Sequence, residues 1–319
     1  MSRPRMRPAG SGAEPSLYDR VAMETASIVI RRYSTSFSLA SRLLAPPVRQ
    51  HVENIYALVR LADEVVDGVA AEADLATDEI AERIDALERE TCSAMDCGYS
   101  TNLVVHAFGW TARRVGIGED LTAPFFRSMK ADLSATRHTP ESFDDYVYGS
   151  AEVVGLMCLA AFLDGGDTSP AERERLTDGA RHLGAAFQKI NFLRDLAADF
   201  GTLGRSYFPG IDVNTFTEAE KARIIADIDV DLRIAAACLP GLPASSRRAV
   251  ALAQALFEEL TDRLRDTPAS VLATARIRVP SPVKARIALE AAIGRLPRPR
   301  AGTPAGPRAT GSTKGDTTQ

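Results

Sequence analysis

The sequence predicts an all-α protein. Nine segments carry apolar residues at intervals of three and four, the spacing that places them on one face of an α-helix. Pro, Gly, Asp or Thr residues fill the breaks, and no stretch alternates apolar and polar residues convincingly enough to indicate a strand. The predicted helices are 16–32, 47–67, 75–95, 101–115, 119–134, 141–163, 170–199, 217–238 and 243–266.

Helix-start signals support two of these segments in addition to their apolar spacing. Thr139 precedes Pro140 at the start of 141–163, and Ser169 precedes Pro170 at the start of 170–199. A hydroxyl side chain can cap the first free N–H groups of a helix, and proline fits its first turn. Both segments therefore have a defined beginning.

Composition indicates one structured domain between two disordered ends. The chain has 319 residues, 45% of them hydrophobic and 25% charged, which is enough for one large helical domain. Residues 1–15 and 295–319 are rich in Pro, Gly, Arg, Ser and Thr and lack periodic apolar residues, so they are predicted to be disordered. The structured domain is predicted to span 16–294.

Charge, cysteine and hydropathy patterns argue against several classes of protein. The formal net charge of -4 gives no reason to expect nucleic acid as a partner. The four cysteines form no C-x-x-C pair and the four histidines no zinc pattern, so we interpret the cysteines as reduced and structural. No signal peptide is evident, and the longest apolar run, 153–163, is too short to span a bilayer. We therefore expect a cytoplasmic protein, and the sequence leaves its oligomeric state open.

An acidic stripe marks one face of the helix predicted at 47–67. At about 100° per residue, Tyr56, Arg60, Asp63 and Asp67 fall within roughly 60° of arc, and apolar residues fill the opposite side. On its own, this pattern fits a solvated polar face as well as a binding site. Glu64 lies about 100° from Asp63 and is expected to support the stripe from the side.

A second stripe, on the helix predicted at 170–199, decides between these alternatives. Gln188, Asn191, Asp195 and Asp199 share a face that is flanked on both sides by apolar residues. A helix that is apolar nearly all round is a buried one, and buried carboxylates are costly unless a metal or a cation neutralises them. The second stripe therefore indicates an inward-facing ion site.

Two glycines follow the second stripe. Gly201 and Gly204 predict that the chain leaves the helix as a loop, which brings Arg205 and Tyr207 near Asp199. Most of the positive charge of the chain is arginine, whose guanidinium group suits forked contacts with phosphate. A phosphorylated ligand is compatible with this composition.

In order and spacing, these motifs resemble the phytoene and squalene synthase family, whose members join two isoprenyl diphosphates head to head. The matching residues are Tyr56, Arg60, Asp63 and Asp67 in the first motif, Gln188, Asn191, Arg194, Asp195 and Asp199 in the second, and Arg205 and Tyr207 after it. An early segment with Ser34, Ser36 and Phe37 and a central segment with Tyr146 also match. The resemblance covers nearly the whole predicted domain, and the combination of motifs is specific.

The resemblance implies a single isoprenoid-synthase-type helical bundle with a central active-site cavity. It implies that Mg²⁺, with Mn²⁺ as an alternative, is held by Asp63, Asp67, Asn191, Asp195 and Asp199, and that the four aspartates are catalytic. It implies substrate-binding roles for Ser34, Ser36, Phe37, Tyr56, Arg60, Tyr146, Gln188, Arg194, Arg205 and Tyr207. Arg60 and Arg194 are also compatible with structural ion pairs to the same aspartates.

The resemblance further implies a two-stage reaction. One prenyl diphosphate ionises, and the second captures the allylic cation to give a cyclopropylcarbinyl diphosphate, which then ionises, rearranges and loses a proton. The amino-acid sequences of the motifs most resemble those of bacterial phytoene synthases of carotenoid biosynthesis. Such an enzyme uses two C20 geranylgeranyl diphosphates and no NADPH. The alternatives are a C30 synthase that makes dehydrosqualene or squalene from farnesyl diphosphate, a non-catalytic assembly protein of the same fold, and a terpene cyclase of related fold.

Three positions depart from the family pattern. Glu152 occupies a place where the family commonly has glycine, and its side chain either enters the pocket or turns outward. The loop between Asp199 and Arg205 is one residue longer than usual, and a tyrosine often found before the final helix has no counterpart near 267–269.

The C-terminal tail is basic. Its positive side chains suit peripheral contact with an anionic membrane surface, although a solubilising tail fits the same composition better. These residues are Arg295, Arg298, Arg300, Arg308 and Lys314.

Overall fold

The computed structural model describes residues 14–67, 69–203 and 205–292, and within these ranges the chain folds into fourteen α-helices without a β-sheet. The prediction of an all-α protein is confirmed. The helices are α1 Leu17–Tyr33, α2 Thr35–Ser41, α3 Pro46–Asp67, α4 Val69–Glu72, α5 Thr77–Cys97, α6 Leu103–Val115, α7 Glu119–Ala131, α8 Pro140–Val147, α9 Val153–Phe162, α10 Pro170–Leu203, α11 Glu218–Cys238, α12 Ala244–Asp266, α13 Ala269–Leu272 and α14 Ser281–Ala292. The predicted disordered segments lie almost entirely outside the described residues, as do the basic residues of the tail.

The second acidic helix is longer than predicted. Helix α10 continues through Gly201 to Leu203, so Gly201 does not end it after Asp199. A glycine inside a helix costs about 1 kcal/mol relative to alanine, too little to end a helix of 34 residues. The backbone N–H of Arg205 donates to the carbonyl oxygen of Asp199 at 3.0 Å and closes the helix end.

The short helix α2 was not predicted, because seven residues give too few turns for a periodic pattern. Its first turn is capped by Ser34, whose hydroxyl accepts a hydrogen bond from the backbone N–H of Phe37 at 3.1 Å. The cap fixes where the chain turns from α1 into α2, and it thereby sets the position of the Phe37 ring.

Helices α8 and α9 form one continuous helix, because a π-helical segment, Tyr148–Glu152, joins them. From Pro140 to Phe162 this helix has 23 residues and by length and composition could cross a membrane. The apolar run 153–163 is therefore part of a longer helix than the run itself indicated. Val153 and Met157 are nevertheless fully buried among side chains of neighbouring helices, as in the core helix of a folded domain.

Two apolar clusters flank a central cavity of about 580 Å³. One cluster lies between α1, α3, α5, α6, α7 and α9, and the other lies between α8, α10, α11 and α12. Side chains of α3 and α10 line the cavity, so the two acidic stripes face a shared space.

The close approach of α10 to α9 and to the π-helical segment before it depends on Gly155 and Gly184. A Cβ at Gly184 would lie 2.5 Å from the carbonyl oxygen of Ala151, and one at Gly155 would lie 2.5 Å from that of Ala180. Neither contact can be relieved by rotating a side chain, because the neighbouring atom belongs to the backbone. The two glycines therefore hold one wall of the cavity together.

Gly184→Ala is expected to destabilise the fold, although alanine is the better helix former. Overpacking typically costs about 1–3 kcal/mol, which exceeds the gain in helix propensity. Urea unfolding measures the change in the free energy of unfolding, and Gly166→Ala, where the new Cβ meets nothing closer than 3.6 Å, is the control. If the two variants had the same free energy of unfolding, the inferred tight packing at Gly184 would be contradicted.

Candidate active site

The first stripe projects from α3 into the cavity. Ile55 and Leu58 on the opposite face are buried in the core, which fixes the rotation of the helix. The polar face then lines the cavity through Tyr56, Arg60, Asp63 and Asp67.

Arg60 is held in place by its neighbours on α1 and α3. Its guanidinium pairs with Glu64, lies 4.0 Å from the Asp63 carboxylate, and sits over the Tyr33 ring at 4.5 Å. Glu64 thus supports the stripe through Arg60. The structural ion pair expected for Arg60 is present, and the side chain still faces the cavity.

The second stripe projects from α10 into the same cavity. Gln188, Asn191, Asp195 and Asp199 line it, together with Arg194. The Arg194 guanidinium donates to the Asp195 carboxylate next to it in sequence. The inward orientation inferred from the apolar flanks of this helix therefore agrees with the structure.

Burial and neighbouring carboxylates raise the pKa of one aspartate in each stripe, Asp63 and Asp199. Removal from bulk water raises the pKa of Asp63 to about 7, with a further contribution from the charge on Asp67 and against the effect of Arg60. Burial likewise raises the pKa of Asp199 to about 7, and both Asp195 and Asp67 add to the increase. An electrostatic effect of Asp67 on Asp199 requires α3 and α10 to face each other across the cavity mouth.

Arg205 joins the two stripes rather than extending the second one. Its backbone follows Asp199, but its guanidinium donates to the Asp67 carboxylate of α3 at 2.5 Å. It also donates to the Tyr207 hydroxyl at 3.3 Å and lies 3.8 Å from the Asp132 carboxylate. The predicted proximity of Arg205 and Tyr207 to this region is found, with Asp67 as the ion-pair partner.

Asp132 is a buried carboxylate that the sequence analysis did not identify. Tyr146 and Tyr207 donate their hydroxyl protons to its two oxygens, at 2.6 Å and 3.2 Å. Burial raises the pKa of Asp132 to about 7, and the charge on Asp67 contributes. A single aspartate after a helix has no spacing signature, so only its tertiary partners reveal it.

Arg276 was missed for a related reason. It lies in the loop before α14, and its Nε donates to the Asp195 carboxylate at 2.7 Å while the side chain lines the cavity. One arginine among several in this segment carries no distinguishing pattern.

The predicted aromatic and hydroxyl residues also line the cavity, below the ionic mouth. Ser34, Ser36 and Phe37 lie along α2 and its cap, and Tyr146 lies at the end of α8. The Phe37 ring packs against aromatic rings of α3, α10 and α12 at centroid distances of 5.6–6.0 Å. The cavity therefore has a polar mouth and an aromatic and aliphatic interior.

Glu152 turns away from the cavity. Its carboxylate accepts a hydrogen bond at 2.7 Å from Arg181, whose side chain is half exposed. Of the two alternatives stated for this position, the outward orientation is the one observed.

The donor set at the mouth fits a divalent cation that is shared with a ligand. Within the described residues, no three acidic, histidine or cysteine side chains converge closely enough to hold a metal by themselves. Burial raises the pKa of Asp63 and of Asp199, and the charges of nearby carboxylates add to both increases, so a bound cation would stabilise the ionised carboxylates. Mg²⁺ commonly takes one or two carboxylates and completes its shell with phosphate and water.

Comparison with known proteins agrees with this architecture. A model of the squalene/phytoene synthase family matches residues 30–283. A phytoene synthase from Pseudescherichia vulneris is 28% identical over 270 residues, which cover 78% of this chain and 82% of that protein. A 4,4'-diapophytoene synthase from Staphylococcus haemolyticus is 27% identical over 189 residues, which cover 59% of this chain and 62% of that protein.

The fold is similar to that of solved structures. A crystal structure of a dehydrosqualene synthase in complex with a ligand matches with a TM-score of 0.73 at 20% identity, over 86% of this chain and 97% of that one. The helical bundle with a central cavity is therefore of the isoprenoid-synthase type. Because the family model spans both acidic stripes and nearly all of the helical domain, the chain belongs to the squalene/phytoene synthase family of prenyltransferases.

Proposed function

We propose that this protein joins two molecules of geranylgeranyl diphosphate head to head to form phytoene, a step of carotenoid biosynthesis in the cytoplasm. The observation that carries the proposal is the pair of acidic stripes that face each other across the mouth of a deep apolar cavity. Ionisation of an allylic diphosphate separates charge, which the mouth can stabilise while the interior keeps water away from the carbocation.

Five oxygen donors would hold the metal at the mouth. They are Asp63 and Asp67 on α3 and Asn191, Asp195 and Asp199 on α10. Bound Mg²⁺, or Mn²⁺ in its place, supplies Lewis-acid neutralisation of the diphosphate leaving group.

The arginines at the mouth would bind the diphosphate oxygens. In the structure Arg194 and Arg276 share the Asp195 carboxylate, and Arg205 donates to Asp67. Because these carboxylates are also the proposed metal ligands, binding of the metal and diphosphate lets each arginine exchange its carboxylate partner for a phosphate oxygen. The ion pairs keep the guanidinium groups in position until then.

The interior would hold the two prenyl chains and the cationic intermediates. Phe37 and Tyr146 present ring faces or edges to this space, and aromatic rings stabilise positive charge. The Tyr146 hydroxyl donates to Asp132, so its oxygen lone pairs remain available to accept a hydrogen bond or a proton from the substrate side.

Asp132→Asn is expected to lower kcat by about 10–100-fold, because the amide can accept from the two tyrosines only through its oxygen and would no longer hold both rings in place. A lower Tm is expected as well, since hydrogen bonds to a charged group contribute about 1.5–3 kcal/mol to stability. Steady-state kinetics and thermal melting measure the two effects. The same substitution at the exposed Asp144 of α8 is the control. Wild-type kcat in Asp132→Asn would remove this residue from the proposed site.

The choice of C20 over C15 substrate rests on the relatives. The bacterial phytoene synthase covers more of this chain than the 4,4'-diapophytoene synthase does, at nearly the same identity. A C30 synthase that uses farnesyl diphosphate is the second candidate, because a relative of that name also matches.

Product analysis tests the proposal. Purified protein is incubated with Mg²⁺ and either geranylgeranyl or farnesyl diphosphate, with and without NADPH, and the lipid extract is separated by chain length. We expect a C40 triene from the C20 substrate, independent of NADPH. A C30 product from farnesyl diphosphate alone would favour the second candidate, and absence of any condensation product would contradict both.

A further inference from the structure

The cavity ends against four residues of a small apolar cluster, which we call the end wall: Leu159 of α9, Leu176 of α10, Cys238 at the end of α11, and Leu242. All four side chains are at most 7% exposed, and all four line the cavity. They come from four different parts of the chain, so the cavity is closed by tertiary packing rather than by one mobile segment.

Helices α10 and α11 are in direct contact at the end wall. A Cβ at Gly179 would lie 2.5 Å from the Cβ of Cys238 and 2.7 Å from its Sγ. The Cys238 thiol also donates to the carbonyl oxygen of Arg175 at 3.2 Å. At Gly179 the two helices therefore leave no room for even one methyl group between them.

The depth of the cavity follows from α10, which lines it from end to end. Lining residues recur every three or four positions from Leu176, at the end wall, to Asp199, at the mouth. At 1.5 Å per residue these 23 steps span about 35 Å, and Ala180 lies about 22 Å along the helix from Asp195.

Prenyl chains of different length end at different levels of this cavity. An extended carbon chain advances about 1.2 Å per bond, as the polypeptide backbone does, so the main chain of a C15 group is about 13 Å long and that of a C20 group about 18 Å. The diphosphate group adds five bonds, or about 6 Å at the same advance per bond, between the level of Asp195 and the first carbon of the chain. Measured along α10 from Asp195 towards the end wall, the C15 chain then ends at about 19 Å, near Leu183. The C20 chain ends at about 24 Å, near Gly179.

We propose that the end wall measures the fourth isoprene unit of the substrate and so sets the chain length that this enzyme accepts. The inference rests on the proposed function and deepens it, because it assigns the selectivity to named residues. Ala180 lies just above the end wall and is the position where added bulk would meet the fourth unit but not the third.

The main test adds bulk at Ala180. Ala180→Leu is expected to lower kcat/KM for geranylgeranyl diphosphate at least tenfold, since a mismatch of a few carbons in an apolar pocket costs about 10–200-fold. The kcat/KM for farnesyl diphosphate should change less than about twofold, because the C15 chain ends before it reaches position 180. Ala171→Leu, the same substitution at an exposed position near the start of α10, should change neither.

A complementary test removes bulk at the end wall. Leu242→Ala is expected to let the enzyme convert a C25 prenyl diphosphate, which the wild-type cavity should exclude. Thermal melting of each variant separates altered selectivity from unfolding. Equal losses for C15 and C20 in Ala180→Leu, or unchanged rejection of C25 in a folded Leu242→Ala, would overturn the role of the end wall.

Binding measurements test the role of the end wall separately from the proposed condensation reaction. Thiolo-diphosphate analogues of the C15 and C20 substrates ionise poorly, so calorimetry reports their affinity without turnover. If wild-type protein binds both analogues but condenses neither substrate, the proposed function fails, and a selective loss of C20 binding in Ala180→Leu still supports the end wall. An equal effect on both analogues, or binding of neither, would overturn it.

Discussion

Asp195→Ala is expected to reduce product formation by about a thousandfold or more, which corresponds to about 4 kcal/mol of lost transition-state stabilisation. Asp195 is the carboxylate to which Arg194 and Arg276 both donate, and it lies on the face of α10 that meets the first stripe. Its removal would take away a proposed metal ligand and would release two guanidinium groups from their positions at once.

The fold is expected to tolerate this substitution. Asp195 raises the pKa of Asp199, so its removal relieves a repulsion at the same time as it breaks two ion pairs. These effects oppose each other, and both partners of Asp195 remain accessible to water. Tm should therefore change by no more than a few degrees.

The control for Asp195→Ala is the same substitution at Asp178, an exposed residue of the same helix. Product formation is measured with each chain-length substrate, and circular dichroism reports the helical content. If Asp195→Ala kept wild-type turnover, neither the metal assignment nor catalysis at this mouth would stand. Loss of turnover in Asp178→Ala would show that the assay responds to general damage of α10.

Apolar spacing predicted the long helices from α1 to α12 because each of them buries one face, whereas α4, α13 and α14 were not predicted. The same logic oriented the second stripe: Ile190 and Leu193 are fully buried beside it, so the carboxylates between them had to face the interior. Periodicity could not predict α2, whose seven residues are fixed by the Ser34 cap and by contacts with distant helices.

Site residues that are identified only by a contact with a residue far away in the chain could not be predicted from the sequence. Asp132 becomes part of the site through Tyr207, which lies 75 positions away, and Arg276 through Asp195, which lies 81 positions away. Arg205 was placed correctly in the loop after α10, but its partner Asp67 is 138 positions away and belongs to the other stripe. Local pattern identifies which face of a helix is polar, whereas pairing between helices is decided by the three-dimensional packing.

Arg205→Met is expected to destabilise the fold by about 3 kcal/mol and to abolish activity. The side chain is 9% exposed, and its removal leaves Asp132, itself 3% exposed, without a nearby cation. Breaking a buried ion pair by removing one partner typically costs about 3–5 kcal/mol, and the lower end applies because Asp67 is 40% exposed. Urea unfolding measures this change in the free energy of unfolding.

A second substitution separates structure from chemistry. Asp67→Asn in the Arg205→Met background removes one of the charges that raise the pKa of Asp132, so it should recover part of the lost stability, about 1 kcal/mol. It should not recover activity, because the double variant lacks both a diphosphate-binding cation and a proposed metal ligand. A double variant that regained turnover along with stability would show that Arg205 acts only as a structural counter-ion. Stability without turnover would instead assign the Arg205–Asp67 pair to substrate binding, with the ion pair serving to hold both groups in place before the diphosphate arrives.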